Sequence, residues 1–484
     1  MKSRYIRENI ILYSVLLISA FVFVLYFSTS TSPLYEGYGS DSAIFQVMGK
    51  YWLEGKIPLV DTFDHKGPYI FWVNALGYLL TGTKTGVFFV QVGNMFITML
   101  GIYKIAGLIF KKFNAVVWSV ITLGFLGLCY DGGNLTEEYT LPFLAFSIYF
   151  QYRFILENQN IKRKEHNWRY SILYGITFAI CFFTRLTNAI GLCSGILIIL
   201  IVLIREKQWK NILRNIVGVL LGIIVVSLPL FIYYGVNNAI TELMMGTFLL
   251  NVNMATSVTI YWWTNPHSIV AWVRIFVAHL ASYGMIIGGI ILLKKKKERE
   301  AWYCICVGLF MTVYLVTRYA YYHYMIVSVP YLPIIAGIIS KLTSGKKAKV
   351  LEIGFAAVLG VFILYQGFNI YQDSWNVENT APEYAKYVEI IPKEDRDDFI
   401  GYNVKTAMYL EKDIMPYYKY FHHQDYHASR NAYVEDELVD VFENGEVKWI
   451  LFEETENKNC IESVLENKYE LVISEGKYRL YCRK

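Results

Sequence analysis

The sequence predicts an all-α polytopic membrane protein of about eleven transmembrane helices with a small α/β domain at its C-terminal end. Three observations carry that prediction. Hydrophobic residues make up 55% of the 484 positions and charged residues only 18%, too few to cover the surface of a soluble protein of this size. Apolar runs long enough to cross a bilayer recur along residues 1–370. Lys and Arg fall in alternate connections between those runs, the bias that orients membrane proteins.

The runs lie at 10–27, 86–110, 115–130, 138–155, 170–185, 188–204, 212–234, 269–293, 301–317, 322–340 and 349–370. Basic residues precede the first, as in a signal peptide. No small-residue cleavage site follows it and many spans do, so a retained anchor is expected. The connections holding Arg4 and Arg7, Lys111 and Lys112, Lys162 and Arg163, Arg205 and Lys210, Lys294 to Lys297, and Lys346 and Lys347 share one side only with eleven crossings. Connections 131–137 and 235–268 hold no Lys or Arg. This pattern puts the N-terminus in the cytoplasm, the chain in the plasma membrane and the C-terminal domain outside the cell.

Two outer connections are too long to be plain turns. The first, 28–85, contains the apolar or amphipathic stretches 41–54 and 68–80, separated by the polar sequence DTFDHKGP. The second stretch is too short to span and reads as an interfacial or re-entrant helix. The loop 235–268 carries Tyr261, Trp262 and Trp263. It reads equally as a lid over the membrane surface and as simple aromatic anchoring. Two domains follow: a transmembrane part over 1–370 and a soluble part over 371–484. In the latter, 397–402 and 447–453 read as strands, 431–443 as a helix and 469–482 as a hairpin.

The chemistry-bearing residues gather on the outer side of this topology. They are Asp41; Asp61, Asp64, His65 and Lys66; Asp131, Glu137 and Glu138; Arg185; His267 and Arg274; and Arg318, Tyr322, His323 and Tyr324. Each has a plainer reading. Asp41 suits a helix N-cap, Glu137 and Glu138 suit a helix dipole, and Arg185 and Arg318 suit headgroup contacts by snorkelling. Arg274 lies inside a span, where an ionisable group is costly and tends to face a cavity or a partner. His422, His423 and His427 have ligand-like spacing but lie in a polar loop, where metal binding is not the preferred reading. Cys460 and Cys482 fall in the polar tail, where a disulfide requires the outer location. Together, carboxylates and bases beside aromatic residues suit transfer of a sugar from a lipid phosphate. A carboxylate would take a proton from the acceptor and bases would hold the departing phosphate.

Residues 36–80 resemble the first extracytoplasmic loop of GT-C glycosyltransferases, which include protein O-mannosyltransferases and lipid A aminoarabinose transferases. The resemblance rests on Asp41 opening an amphipathic helix that ends in Gly55-Lys56-Ile57-Pro58, and on Lys66-Gly67-Pro68 before a second interfacial helix. The His323-Tyr324 pair before a Pro-containing span is similar to bacterial members, and so is the tail segment from Gly401 to Phe421. The resemblance implies a GT-C fold and an inverting glycosyltransferase. It would move one sugar from a polyprenyl-phosphate donor to an extracytoplasmic acceptor: a cell-envelope glycan, a lipid or a protein. It also implies Asp41 as the catalytic carboxylate and Lys66 as a donor-phosphate contact. Ser42 stands where the family often has a second acidic residue. Asp64 or Glu138 is the candidate substitute, and a divalent metal is left open. His65, Glu137, Arg185, Arg274, Arg318, Tyr322, His323 and Tyr324 are topological candidates for substrate binding. The lipid bilayer is an expected partner and nucleic acid is not. A flippase or transporter, or a glycan ligase or polymerase, is the alternative. Transporters more often show related halves and ionisable groups near the midplane, where His279 stands here.

Overall fold

The computed structural model describes residues 2–160, 164–252, 269–316, 321–342, 354, 361, 365, 367–370, 372, 383–445, 447–455 and 459–484. The span 349–370 lies largely outside the described residues, as do Arg318, His267 and positions 253–268 of the candidate lid. Arg274 and Tyr322 are described in backbone only.

The predicted spans from 10–27 to 322–340 all fall on helix. In order these are α1 (Lys2–Phe27), then α4 (Lys84–Gly107), α5 (Lys112–Leu126), α6 (Thr136–Asn160), α7 (Trp168–Phe182), α8 (Ile190–Arg205), α9 (Trp209–Val236), α11 (Ile269–Lys294), α12 (Glu298–Val316) and α13 (Leu332–Leu342). Between α1 and α4 lie α2 (Ser40–Leu53) and α3 (Pro68–Thr81), and the short α10 (Ile240–Met244) follows α9. Among the described residues, Glu8–Phe27, Lys84–Gly107, Leu186–Arg205, Trp209–Val236 and His323–Lys341 are long and apolar enough to cross a membrane. The protein is therefore a multi-pass membrane protein by its apolar helices. One predicted span differs in kind. Residues Tyr322–Tyr331 form a 3-10 helix before α13 begins. Pro330 lies near the end of this stretch, and Pro333 falls in the first turn of α13, where a missing N–H is tolerated.

The chain divides into two compact units. The helical unit comprises Met1–Leu34, Phe88–Asn237 and Thr259–Asp373. In it, α7 and α9 approach closely through small residues. A Cβ added at Gly175 would meet the carbonyl oxygen of Val219 at 2.0 Å, and one at Gly222 would meet that of Ile172 at 2.0 Å. Without a hydrophobic drive between helices in lipid, such backbone approach supplies the packing. The remaining surface of α9 exposes Leu213, Leu220, Val225 and Ile232, as suits contact with lipid.

The loop-and-tail unit comprises Tyr35–Val87, Asn238–Val258 and Ser374–Lys484. Its centre is a four-stranded sheet in the order β1-β2-β4-β3, from β1 (Phe399–Tyr402), β2 (Trp449–Glu453), β3 (Tyr469–Glu475) and β4 (Tyr478–Arg483). Strands β1 and β2 are parallel, and the other pairs are antiparallel. The expected helix at 431–443 spans Ala432–Glu443, with Asn431 capping it by accepting from the Tyr433 N–H at 3.2 Å. The segment between α2 and α3 joins this core. Phe63 packs edge-on against Tyr420 at 4.9 Å, and its N–H donates to the Lys419 carbonyl at 2.9 Å. Helices α2 and α3 lie close, since a Cβ at Gly49 would meet Ala75 N at 2.6 Å.

Candidate functional site

The predicted residues form two clusters, one in each unit. In the loop-and-tail unit, Gly39 with φ of 70° opens α2, and Asp41 stands in the first helical turn rather than at the cap. A carboxylate there faces the positive end of the helix dipole. Asp41 is partly exposed, and its charge acts on the His423 imidazole. The chain entering α2 is held by Lys84, whose ammonium donates to the carbonyls of Glu36 at 2.7 Å, Gly37 at 2.9 Å and Tyr35. Sequence reasoning missed Lys84, because nothing in its local pattern marks a lysine that serves main-chain carbonyls some 48 residues away.

Past the turn at Gly55, DTFDHKGP builds a buried charge cluster. Asp64 is fully buried. Its Oδ1 lies 3.0 Å from His65 Nδ1 and accepts from the His65 N–H at 2.7 Å, while Oδ2 lies 3.7 Å from Lys66 Nζ. Lys66 Nζ also donates to His65 Nε2 at 3.0 Å and lies 5.8 Å from the centre of the Phe45 ring. Burial by itself would raise the Asp64 carboxyl, but the adjacent Lys66 and His65 outweigh it and hold the group well below the ordinary carboxylate range. Asp61 is spent locally, accepting from the Ile57 N–H at 2.6 Å.

The three tail histidines join this cluster. His422 donates from Nε2 to the Phe63 carbonyl at 3.0 Å, and His427 packs against Phe63, His65 and His422. His422 and His427 are buried. Among the described residues, no group of three or more His, Cys, Asp or Glu is disposed to hold a metal ion. Burial, opposed in part by the Asp64 charge, brings His422 down to about 4. Burial together with the neighbouring imidazoles takes His427 well below its ordinary value. The unfolded chain then binds these protons first. Stability is complete above about pH 6.5 and falls as the pH drops towards the lowered folded values. Thermal melts of the purified chain from about pH 7 to pH 4 should show that decline, and His422→Gln, which keeps a donor to Phe63, should make it shallower. An unaltered pH profile in that variant would count against the assignment.

In the helical unit the polar residues converge around the turn 131–134. Asp131, Gly132, Gly133 and Asn134 all have positive φ, at 48°, 82°, 73° and 57°. The sequence DGGN supplies the residue types that tolerate it. A Cβ at Gly133 would lie 2.7 Å from both Ser28 Oγ and a Tyr130 ring carbon. Gly133→Ala should therefore cost about 2 kcal/mol or more, read as a lowered melting temperature in detergent.

This turn sets up Glu138, which is fully buried. Its Oε2 accepts from Gln91 Nε2 and from the Asn134 N–H, both at 2.9 Å, and its Oε1 accepts from the Tyr130 hydroxyl. Glu137 accepts from Arg185 NH1 at 2.7 Å and from the Thr136 hydroxyl at 2.8 Å. The Arg185 guanidinium lies 3.7 Å from the centre of the Tyr324 ring. His323 donates from Nδ1 to Asp131 Oδ2 at 2.9 Å and stacks on Tyr321. Glu137, Arg185, Tyr324, His323 and Asp131 are thus gathered within the helical unit. Arg185 makes a specific ion pair and ring contact rather than a loose headgroup contact. Cys460 and Cys482 are both free thiols, with Cys460 Sγ 3.0 Å from the Tyr402 hydroxyl.

Residues 65–233, about a third of the chain, match the family of dolichyl-phosphate-mannose-protein mannosyltransferases. No curated protein sequence matches the chain. Among solved structures it is similar to ArnT from Cupriavidus metallidurans bound to undecaprenyl phosphate, with a TM-score of 0.57 and 11% identity over 98% of this chain and 97% of that one. The apo state of the same protein gives a TM-score of 0.56 at 11% identity, over 99% and 98% of the two chains. The oligosaccharyltransferase of Archaeoglobus fulgidus tethered with an acceptor peptide gives a TM-score of 0.50 at 13% identity, over 98% of this chain and 74% of that one. Such identities speak to the fold, and the family match overlies it from His65 to Tyr233. The chain therefore shares the fold of these membrane glycosyltransferase structures over nearly its whole length, and its residues 65–233 match the mannosyltransferase family.

Proposed function

We propose that the chain transfers one sugar, with inversion, from a polyprenyl-phosphate-linked donor to an acceptor on the outer face of the plasma membrane. In this reading the N-terminus is cytoplasmic and the loop-and-tail unit is extracytoplasmic. The acceptor hydroxyl oxygen attacks the anomeric carbon from the face opposite the phosphate. Its proton passes to the Asp41 carboxylate, the bond from the anomeric carbon to the phosphate oxygen breaks, and polyprenyl phosphate leaves with the bonding electrons. Lys66 meets the phosphate as charge builds on it. Asp64 and His65 hold Lys66 in place, so Asp64 is a positioning residue rather than the proton acceptor. Glu138, with both carboxylate oxygens engaged, positions the turn 131–134. Arg185, its pair Glu137, His323 and Tyr324, with Arg274, Arg318 and Tyr322, keep the substrate-binding role suggested by topology.

The observation that most supports this reading is the placing of Asp41 and the anchored Lys66 in one compact unit. The fold shared with ArnT, whose structure holds undecaprenyl phosphate, supports the donor class. Mass spectrometry of cells with and without the chain tests it. Loss of one sugar from the envelope glycans, with accumulation of its polyprenyl-phosphate form on the outer leaflet, is expected. Retention of that lipid on the inner leaflet alone would point instead to a flippase.

A further inference from the structure

Beside the Asp64 cluster, the loop-and-tail unit has a partly open cleft at Phe63, His65 and His427. Its lining combines apolar Phe63, Leu250 and Val434 with His65, His427 and Arg430. His427 is only 7% exposed, and its Nε2 has no hydrogen-bond partner. A buried polar nitrogen left in that state is rare and is costly unless something comes to satisfy it. Burial keeps the ring neutral, so it can bond a hydroxyl without placing a charge in the cleft. Arg430 is exposed and held at the rim, with its guanidinium 3.7 Å from the centre of the Tyr426 ring and NH1 donating to the Tyr426 carbonyl at 3.4 Å. A guanidinium so oriented still has donors to offer an anion. Asn431, the remaining polar residue of the lining, is committed to capping the next helix.

We propose that this cleft is a binding site for an anionic saccharide, a sugar bearing a phosphate or a carboxylate. Arg430 pairs with the anion, His427 Nε2 bonds a ring hydroxyl, and Phe63 with Leu250 covers an apolar face of the ring. As the subsite that recruits the acceptor, the cleft rests on the transferase reading above.

Calorimetric titration of the purified full chain in detergent, with no donor present, tests the site directly. The probes are glucose 6-phosphate, glucuronate and neutral glucose. At least one charged sugar should bind about tenfold more tightly than glucose, as a charge-assisted contact allows, and the better of the two identifies the anion. Arg430→Gln should abolish that preference. His427→Phe, which keeps the ring and loses Nε2, should weaken charged and neutral sugars alike, with His427→Gln as the second variant if the first misfolds. Equal binding of all three probes, or affinities unchanged by either substitution, would overturn the proposal. Because no donor is needed, sugar binding in a chain without transfer activity would leave the cleft standing and remove only the transferase reading.

Discussion

Asp41→Asn should reduce sugar transfer by roughly 100- to 10,000-fold, the range contributed by a positioned general base. Asn keeps the size and most of the hydrogen bonding of the side chain but cannot accept the acceptor's proton. The fold should survive. Asp41 is partly exposed in the first turn of α2, with Gly39 already at the cap position. The loss of charge there removes a helix-dipole interaction of about 0.3–1 kcal/mol. Membrane levels and melting temperature should match the parent. Transfer at the parental rate would take Asp41 out of the mechanism.

Asp64→Asn should fail in a different way. Asp64 is fully buried and is the counter-charge of Lys66 and His65. Breaking a buried pair by removing one partner costs on the order of 3–5 kcal/mol, because the remaining charge is left uncompensated. The expected result is a markedly lower melting temperature and faster proteolysis of the loop-and-tail unit, with activity lost in proportion. A second change, Lys66→Met, should restore much of the stability without restoring activity. If Asp64 were the proton acceptor instead, Asp64→Asn would abolish transfer per folded molecule, well beyond the loss of folded protein. The two variants thus separate a carboxylate that reacts from one that holds a lysine.

The membrane part of the fold was legible because its signals are local. Apolar length marks a helix, although only the structure revealed the 3-10 helix over Tyr322–Tyr331. The left-handed turn at 131–134 was not read, although its residue types tolerate positive φ. The tail's strands and its capped helix were readable, since alternation and an Asn before an apolar run are short-range patterns. Tertiary contacts were not. Nothing near Asp64 tells that it is buried and paired while Asp61, three places earlier, only closes a turn. The histidines 422 and 427 looked like a polar loop because the residue that buries them, Phe63, lies 359 positions from His422. Lys84 and Arg430 were overlooked on similar grounds, their partners being carbonyls and a ring rather than a motif.

All of this chemistry requires residues 35–87 to lie on the face of the membrane away from the cytosol. A single cysteine at position 54, an exposed site just beyond α2, reports that face when the seven native cysteines are replaced by alanine. In intact cells a membrane-impermeant maleimide should label Glu54→Cys fully. Labelling only after the membrane is permeabilised would contradict the account, because no outer-leaflet donor reaches a site on the cytoplasmic side.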